Sequence, residues 1–203
     1  MVQWNPMQPK DFIVANEDSN IYTFDMRRLD AARMRHWDHV MAVLDVSYSP
    51  TGQHFVSASY DGTIRTWAVN QQRSQDVYHT KRMARVLCCQ FTADSRFVLS
   101  GSEDTNIRLW KAKANQKLGT LDHREKRAIA YREELMHKFS RLPEIRRIKR
   151  HQHVPKMVKS MATKRRIMLQ AQARKQDNRI KHAKPGSIQR VPVKKKHIVK
   201  ELE

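Results

Sequence analysis

Apolar and polar positions alternate in short runs through the first 110 residues. Val43-Leu44-Asp45-Val46-Ser47-Tyr48, His54–Ser59 and Thr63–Trp67 run at a period near two, separated by Ser49-Pro50-Thr51-Gly52 and Asp61-Gly62. A period of two sends successive side chains to opposite faces, which predicts strands. Asp-Gly between two alternating runs predicts a tight hairpin. The same order returns at Val86–Phe91, Ala93-Asp94-Ser95, Phe97–Ser102, Asp104-Thr105 and Asn106–Trp110. An earlier copy reads Trp4-Asn5-Pro6, Phe12–Ala15, Asp18-Ser19-Asn20 and Ile21–Phe24. Three columns, Asp18/Asp61/Asp104, Ile21/Ile64/Ile107 and Phe24/Trp67/Trp110, step by 43 residues, as do Tyr48 and Phe91, with Trp4 one position out of step.

Past residue 120 the period changes. Ala128, Tyr131, Leu135 and Phe139 fall at helical spacing, with Ile129 and Met136 beside them, and Asp122 with Glu125 reads as a capping box. This predicts a helix over 123–139 whose apolar stripe packs on the strands. Pro143 suits the first turn of a second helix through Arg150. A third helix is expected over 156–182, with Met157, Met161 and Met168 as a weak stripe. From Pro185 onward, Pro, Gly and Lys194-Lys195-Lys196 predict an extended, mobile end.

Charge separates the same two portions. The 203 residues carry a net charge of +20, yet residues 1–120 hold 15 Lys/Arg against 12 Asp/Glu, and residues 121–203 hold 25 against 8. All four Trp lie in the first portion; Tyr131 and Phe139 are the aromatic residues of the second. No run approaches the roughly 18 apolar residues of a membrane helix, so no membrane partner is expected. The first 20 residues carry acids and no continuous apolar core, so no secretory signal is expected. Cys88 and Cys89 are adjacent inside a strand pattern, which argues against a disulfide framework and puts one thiol in a core. His151 and His153 lack the acidic or Cys companions of a metal site, and no cofactor is expected.

A period of 40–45 residues with a terminal Trp is the pattern of WD-repeat propeller blades, and the first portion resembles the WD40 family. The resemblance implies an all-β fold and a buried network of His, Ser or Thr, Asp and Trp in each blade. It carries onto His39, Ser59, Asp61 and Trp67, and onto His79, Ser102, Asp104 and Trp110, with Ser57 an alternative to Ser59. In the first copy Phe24 cannot donate, so the network is broken there. A Ser, His and Asp set that recurs every 43 residues without a G-x-S-x-G elbow reads as structural, and no enzyme is expected. Three copies fall short of the four to eight blades of a ring, so the chain reads as the C-terminal end of a longer propeller, whether fragment, isoform or partial gene model. The expected layout is a partial propeller over 1–117 (repeats near 1–27, 39–69 and 79–112), a basic helical region over 118–184 and a flexible basic end over 185–203.

Charge at the density of the tail repels itself unless a polyanion neutralises it, and nucleic acid is the expected partner. Few aromatic residues are present to stack bases, so contact with RNA backbone is expected rather than base reading. The densest cations on predicted helices are Arg146, Arg147, Lys149 and Arg150, then Lys164, Arg165 and Arg166. The string Leu118-Gly119-Thr120-Leu121, Arg124–Ala128, Tyr131-Arg132-Glu133 and Pro143–Lys156 resembles the Sof-type tail that follows the last WD repeat in one family of ribosome-assembly proteins. The resemblance implies a place in the nucleus and nucleolus, in the small-subunit processome with the U3 small nucleolar RNP and its proteins, supporting 18S pre-rRNA processing. It also implies a second role as substrate receptor of a cullin-4 ubiquitin ligase, through a W-D-x-R motif. Phe24-Asp25-Met26-Arg27 matches that motif at Asp25 and Arg27, the expected adaptor contacts.

Overall fold

The computed structural model describes residues 1–196. Among the described residues, eleven strands form three antiparallel sheets. The first is β1 (Val2–Trp4), β2 (Asp11–Ala15), β3 (Asn20–Asp25) and β4 (Met34–Trp37); the second is β5 (Val43–Tyr48), β6 (His54–Ser59), β7 (Ile64–Ala68) and β8 (Ser74–Tyr78); the third is β9 (Val86–Phe91), β10 (Phe97–Ser102) and β11 (Ile107–Lys111). Each is a meander in chain order. Strands β4 and β8 extend the first two sheets beyond the three runs read in each copy, and their buried positions are polar, His36 and Ser74.

Register explains the repeat. Trp4 pairs with Phe12 and Phe12 with Phe24; Tyr48 pairs with Phe55 and Phe55 with Trp67; Phe91 pairs with Val98 and Val98 with Trp110. Trp4 is therefore the structural counterpart of Tyr48, and the connection after β1 is one residue longer. The opposite face carries Ile13, Ala15 and Ile21 in the first sheet and Val56, Ala58 and Ile64 in the second. Ile13, Ala15 and Ile21 pack on Val46, Tyr48, Phe55 and Trp67. Val56, Ala58 and Ile64 pack on Val86, Cys89, Phe91 and Val98. Each sheet thus presents an aliphatic face to the aromatic face of the next. Cys89 lies in that core, burial pushing its thiol well up, while Cys88 is exposed.

The turns keep the same period. Ser19, Gly62 and Thr105 have positive φ at 69°, 71° and 63°, as do Gly52 and Ser95 at 67° and 58°. Glycine adopts this conformation without a Cβ penalty; Ser19 and Thr105 hold it because the preceding aspartates build the turn.

The helices fall where the spacing put them: α1 (His123–Lys138), α2 (Pro143–Arg150) and α3 (Lys156–His182). Asp122 caps α1 through a bond from the His123 amide at 2.8 Å. Glu125 does not complete the capping box; it pairs with Lys117 at 3.0 Å. No residue of α1 is buried; Ile129 is partly exposed, and Leu135, Phe139, Met136 and Tyr131 are exposed, from 36% at Leu135 to 62% at Tyr131. α1 belongs to a compact unit of its own, Lys113–His153, while α3 belongs with the sheets in a unit of Met1–Ala112 and Val154 onward. In α3 the buried side chain is Val158 at 2% exposure, not Met157 or Met168, which are 54% and 62% exposed. Residues 185–196 include a 3₁₀ turn at Val193–Lys195, and Lys194 donates to the Arg33 carbonyl at 2.7 Å. The remainder of the expected flexible end lies outside the described residues.

Candidate functional site

Between the first two sheets, a continuous hydrogen-bond chain links β6, β7 and the segment after β4. The Trp67 indole donates to Ser57 Oγ at 2.8 Å, Ser57 lies 2.7 Å from His39 Nε2, and His39 Nδ1 lies 2.9 Å from Asp61. Asp61 also accepts from Thr63 Oγ1 at 2.6 Å and from the Thr63 and Val40 amides. With His39 neutral and its proton on Nδ1, every donor in the chain has an acceptor. Burial holds His39 below its ordinary value. It also pushes Asp61 up, but His39, Thr63 and Arg65 outweigh it, and the carboxyl stays well below the usual range.

Ser57, not Ser59, is the serine of this chain. Both face the same way, so strand parity does not separate them; depth does. Trp67 stands opposite Phe55, and its indole reaches one diagonal step, to Ser57. Ser59, at the strand end, donates to the Ala42 carbonyl at 2.8 Å and accepts from the Asp61 amide. In the third sheet Trp110 likewise donates to Ser100 at 2.8 Å, while Ser102 donates to the Arg85 carbonyl at 3.1 Å. Asp104 is paired with Arg108, whose bond holds its carboxyl well below the usual range. His79 is half-buried just after β8. In the first sheet Val14 and Phe24 replace the Ser and Trp, so donor and acceptor are deleted together. Such a swap leaves no orphaned polar group.

The cations on the helices divide into two kinds. Arg146, Arg147, Lys149 and Arg150 are all exposed on α2, as are Lys164 and Arg166 on α3. Arg165 is different and leaves the RNA-contact set. Its guanidinium donates to Ser19 Oγ, to the Asp18 carbonyl at 2.6 Å and to the His39 carbonyl at 3.1 Å. It lies seven residues, about two turns, beyond the buried Val158, on the face of α3 that meets the sheets. Three of its five donors are committed to protein oxygens, and burial pulls its pKa down.

Asp25 and Arg27 form a second candidate site at the end of β3. Arg27 grips Asp25 with Nη2 at 2.9 Å and Nε at 3.2 Å, and its amide donates to the same carboxylate at 3.0 Å. These bonds, the side-chain ones first, pull Asp25 down to about 2. The pair borders an open cleft of about 340 Å³ that also includes Met7, Lys10, Asp11 and Arg33. Arg33 bonds the buried Asp11 at 2.5 Å. Among the described residues, no group of three His, Cys, Asp or Glu is placed to hold a metal ion.

Three meandering sheets on a 43-residue period define a WD-repeat chain. The WD domain, G-beta repeat model matches residues 33–68 and 74–111, and a Sof1-like domain model matches residues 112–198. The chain is 51% identical over 98% of its length to "DDB1- and CUL4-associated factor 13" of Danio rerio, and 56% identical over 84% to the Homo sapiens protein of that name. It is 41% identical over 86% of its length to "Protein SOF1" of Saccharomyces cerevisiae. The matches cover 45%, 38% and 36% of those relatives, so the chain spans less than half their length. The chain belongs to the family that joins WD repeats to a Sof1-like domain.

Proposed function

We propose that this chain is part of a non-enzymatic WD40 scaffold of the nucleolar small-subunit processome, acting with the U3 small nucleolar RNP in 18S pre-rRNA maturation. In this reading the three sheets are propeller blades that dock proteins, and the basic region over 118–184 meets RNA backbone. The observation that carries it is α2, where Arg146, Arg147, Lys149 and Arg150 stand exposed together on an eight-residue helix. Lys164 and Arg166 offer further phosphate contacts on α3. Cations on a helix with few aromatic neighbours suit phosphate neutralisation, which releases counterions and is indifferent to sequence. The test is crosslinking and sequencing of RNA joined to residues 121–203 in cells. Crosslinks concentrated in U3 RNA or the 18S precursor support the reading; RNA at background with normal expression overturns it.

A second reading rests on Asp25 and Arg27. Two of the relatives named above, those of Danio rerio and Homo sapiens, carry association with DDB1 and CUL4 in their names. An Asp–Arg pair at the rim of an open cleft suits a charged contact with a ligase adaptor, and this chain would then serve as part of a substrate receptor. Arg27→Ala should abolish adaptor capture while leaving RNA crosslinks intact; retained capture removes the pair from that interface.

A further inference from the structure

α3 is held on one side and open on the other. Val158 is buried, and Arg165 bonds the Asp18 and His39 carbonyls, so these two positions fix the side of the helix that meets the sheets. At about 100° per residue, Lys156, Arg174 and Lys181 fall on one line, about 140–160° around the axis from Val158. That line points away from the sheets, and all three side chains are exposed. Lys159 and Arg166 lie on one shoulder of it, Lys164 and Lys175 on the other, and these too are exposed. Asp177 is the only acid in the α3 sequence, and its charge is taken up by Arg190 at 3.6 Å. With a rise of about 1.5 Å per residue, Lys156 and Lys181 stand about 37 Å apart along the axis, and Arg174 about 10 Å from Lys181.

Three properties of this outward side select among polyanions. Ser160, Gln170 and Asn178 are exposed between the cations, within about 40° of the same line, and each both donates and accepts. No Phe, Tyr or Trp follows Phe139 in the chain, so nothing here stacks the bases of a splayed single strand. A rigid rod of cations matches a rigid double helix, whereas a flexible strand would lose conformational freedom by lying straight along it. An A-form duplex has a deep, narrow groove that side chains do not read and a wide, shallow one that displays its 2′-hydroxyls. A helix held against sheets on one side reaches the shallow groove without sinking into it. The exposed apolar side chains of α3 point in three directions, Met157 with Met168, then Ile167, then Leu169, and build no apolar face for a lipid surface.

We propose that the outward side of α3 is a binding site for double-stranded RNA. Lys156, Arg174 and Lys181, with the cations on the two shoulders, neutralise phosphates of both strands, and Ser160, Gln170 and Asn178 bond 2′-hydroxyls across the shallow groove. The inference rests on the reading that the basic region meets RNA backbone. It adds the kind of RNA, a duplex stem, and the side of the helix that receives it.

The test is titration of the whole chain, at several salt concentrations, with an RNA duplex of about 16 base pairs, the length that shape-reading duplex binders span. The two separated strands and a DNA duplex of the same sequence are the comparisons. The RNA duplex should bind tightest. Replacing Lys156, Arg174 and Lys181 together by Gln should lower the slope of log K against log salt on the duplex by about 2–3, at about 0.9 for each lost phosphate contact. Amide exchange over residues 156–170 checks that α3 stays docked in that variant. Gln170→Ala with Asn178→Ala should narrow the gap between the RNA and DNA duplexes. Separated strands that bind as tightly as the duplex, a triple variant with the wild-type slope, or equal affinity for the RNA and DNA duplexes each overturns the proposal and leaves α2 as the RNA contact. So does capture of phosphatidylserine vesicles that the triple variant loses while its duplex binding stays whole. A chain that binds neither duplex nor strands overturns the RNA reading as well.

Discussion

The Arg165 guanidinium donates to the carbonyl oxygen of Asp18 at 2.6 Å, joining α3 to the turn between β2 and β3 across 147 residues of chain. Ser19 and the His39 carbonyl complete its set of acceptors. Together with the burial of Val158 at two turns' distance, this fixes which face of α3 meets the sheets. Bonds from a charged donor contribute about 1.5–3 kcal/mol each at most, and a guanidinium serves several acceptors where an ammonium serves them without the planar fork. Arg165→Met retains the stem and removes the donors. Amide exchange over residues 156–170 should then accelerate about tenfold or more, which corresponds to about 1.4 kcal/mol of lost protection. Arg165→Lys should fall between. Exchange unchanged in Arg165→Met would show that Val158 alone holds the helix.

The exposed cations of α2 lead to a different expectation. If they neutralise RNA phosphates, reversing Arg146, Arg147, Lys149 and Arg150 to Glu should lower affinity and flatten its salt dependence. On single-stranded RNA, each lost phosphate contact reduces the slope of log K against log salt by about 0.7, so four contacts remove about 3. Arg165→Met should leave that slope in place, because its guanidinium is turned onto Ser19, Asp18 and the His39 carbonyl. Titration at several salt concentrations checks both. A slope unchanged by the fourfold reversal would remove α2 from the interface.

That contrast also marks what was legible in the sequence. The three-strand runs, their turns and the helix bounds followed from hydrophobic period and capping, which are local. Strands β4 and β8 escaped because their inward positions are His36 and Ser74, polar residues that break the alternation. Ser57 and Ser59 share a strand face, so only the reach of the Trp67 indole separates them. Lys164, Arg165 and Arg166 look alike in a row; the phase of α3 relative to Val158 distinguishes the middle one. The stripe on α1 signalled a helix correctly.

The buried histidines make stability depend on pH. His36 sits between the first two sheets, edge-on to Phe55 at 4.9 Å, with Nδ1 2.7 Å from the Gln71 carbonyl and Nε2 2.9 Å from Thr23 Oγ1. Burial, only partly opposed by the Gln71 bond, lowers it to about 4. The unfolded chain takes up this proton near pH 6.5 and the folded chain does not, so stability is complete above pH 6.5 and falls from there toward pH 4. For His36 the loss is at most about 3 kcal/mol, and His39, also lowered by burial, adds to it in the same direction. Denaturant midpoints at pH 7, 6 and 5 should decline in that order, and His36→Gln should flatten the decline. A midpoint constant over this range would mean that the histidines are protonated in the folded chain.

The indole–hydroxyl bond between Trp67 and Ser57 can be judged by the first sheet, where Val14 and Phe24 fill the same positions with neither donor nor acceptor. Ser57→Val alone strands two buried groups, the Trp67 indole and His39 Nε2, at about 1–3 kcal/mol for each. Trp67→Phe alone removes ring volume and leaves Ser57 its bond to His39. In the double variant the indole is gone, so the penalty for stranding it is not charged twice. The double variant should therefore be less destabilised than the sum of the single variants, by about 1–2 kcal/mol in a double-mutant cycle read from denaturant unfolding. Additivity within about 0.5 kcal/mol would mean that the bond contributes no coupling and that packing of Trp67 on Phe55, ring centroids 5.9 Å apart and nearly parallel, alone explains its burial.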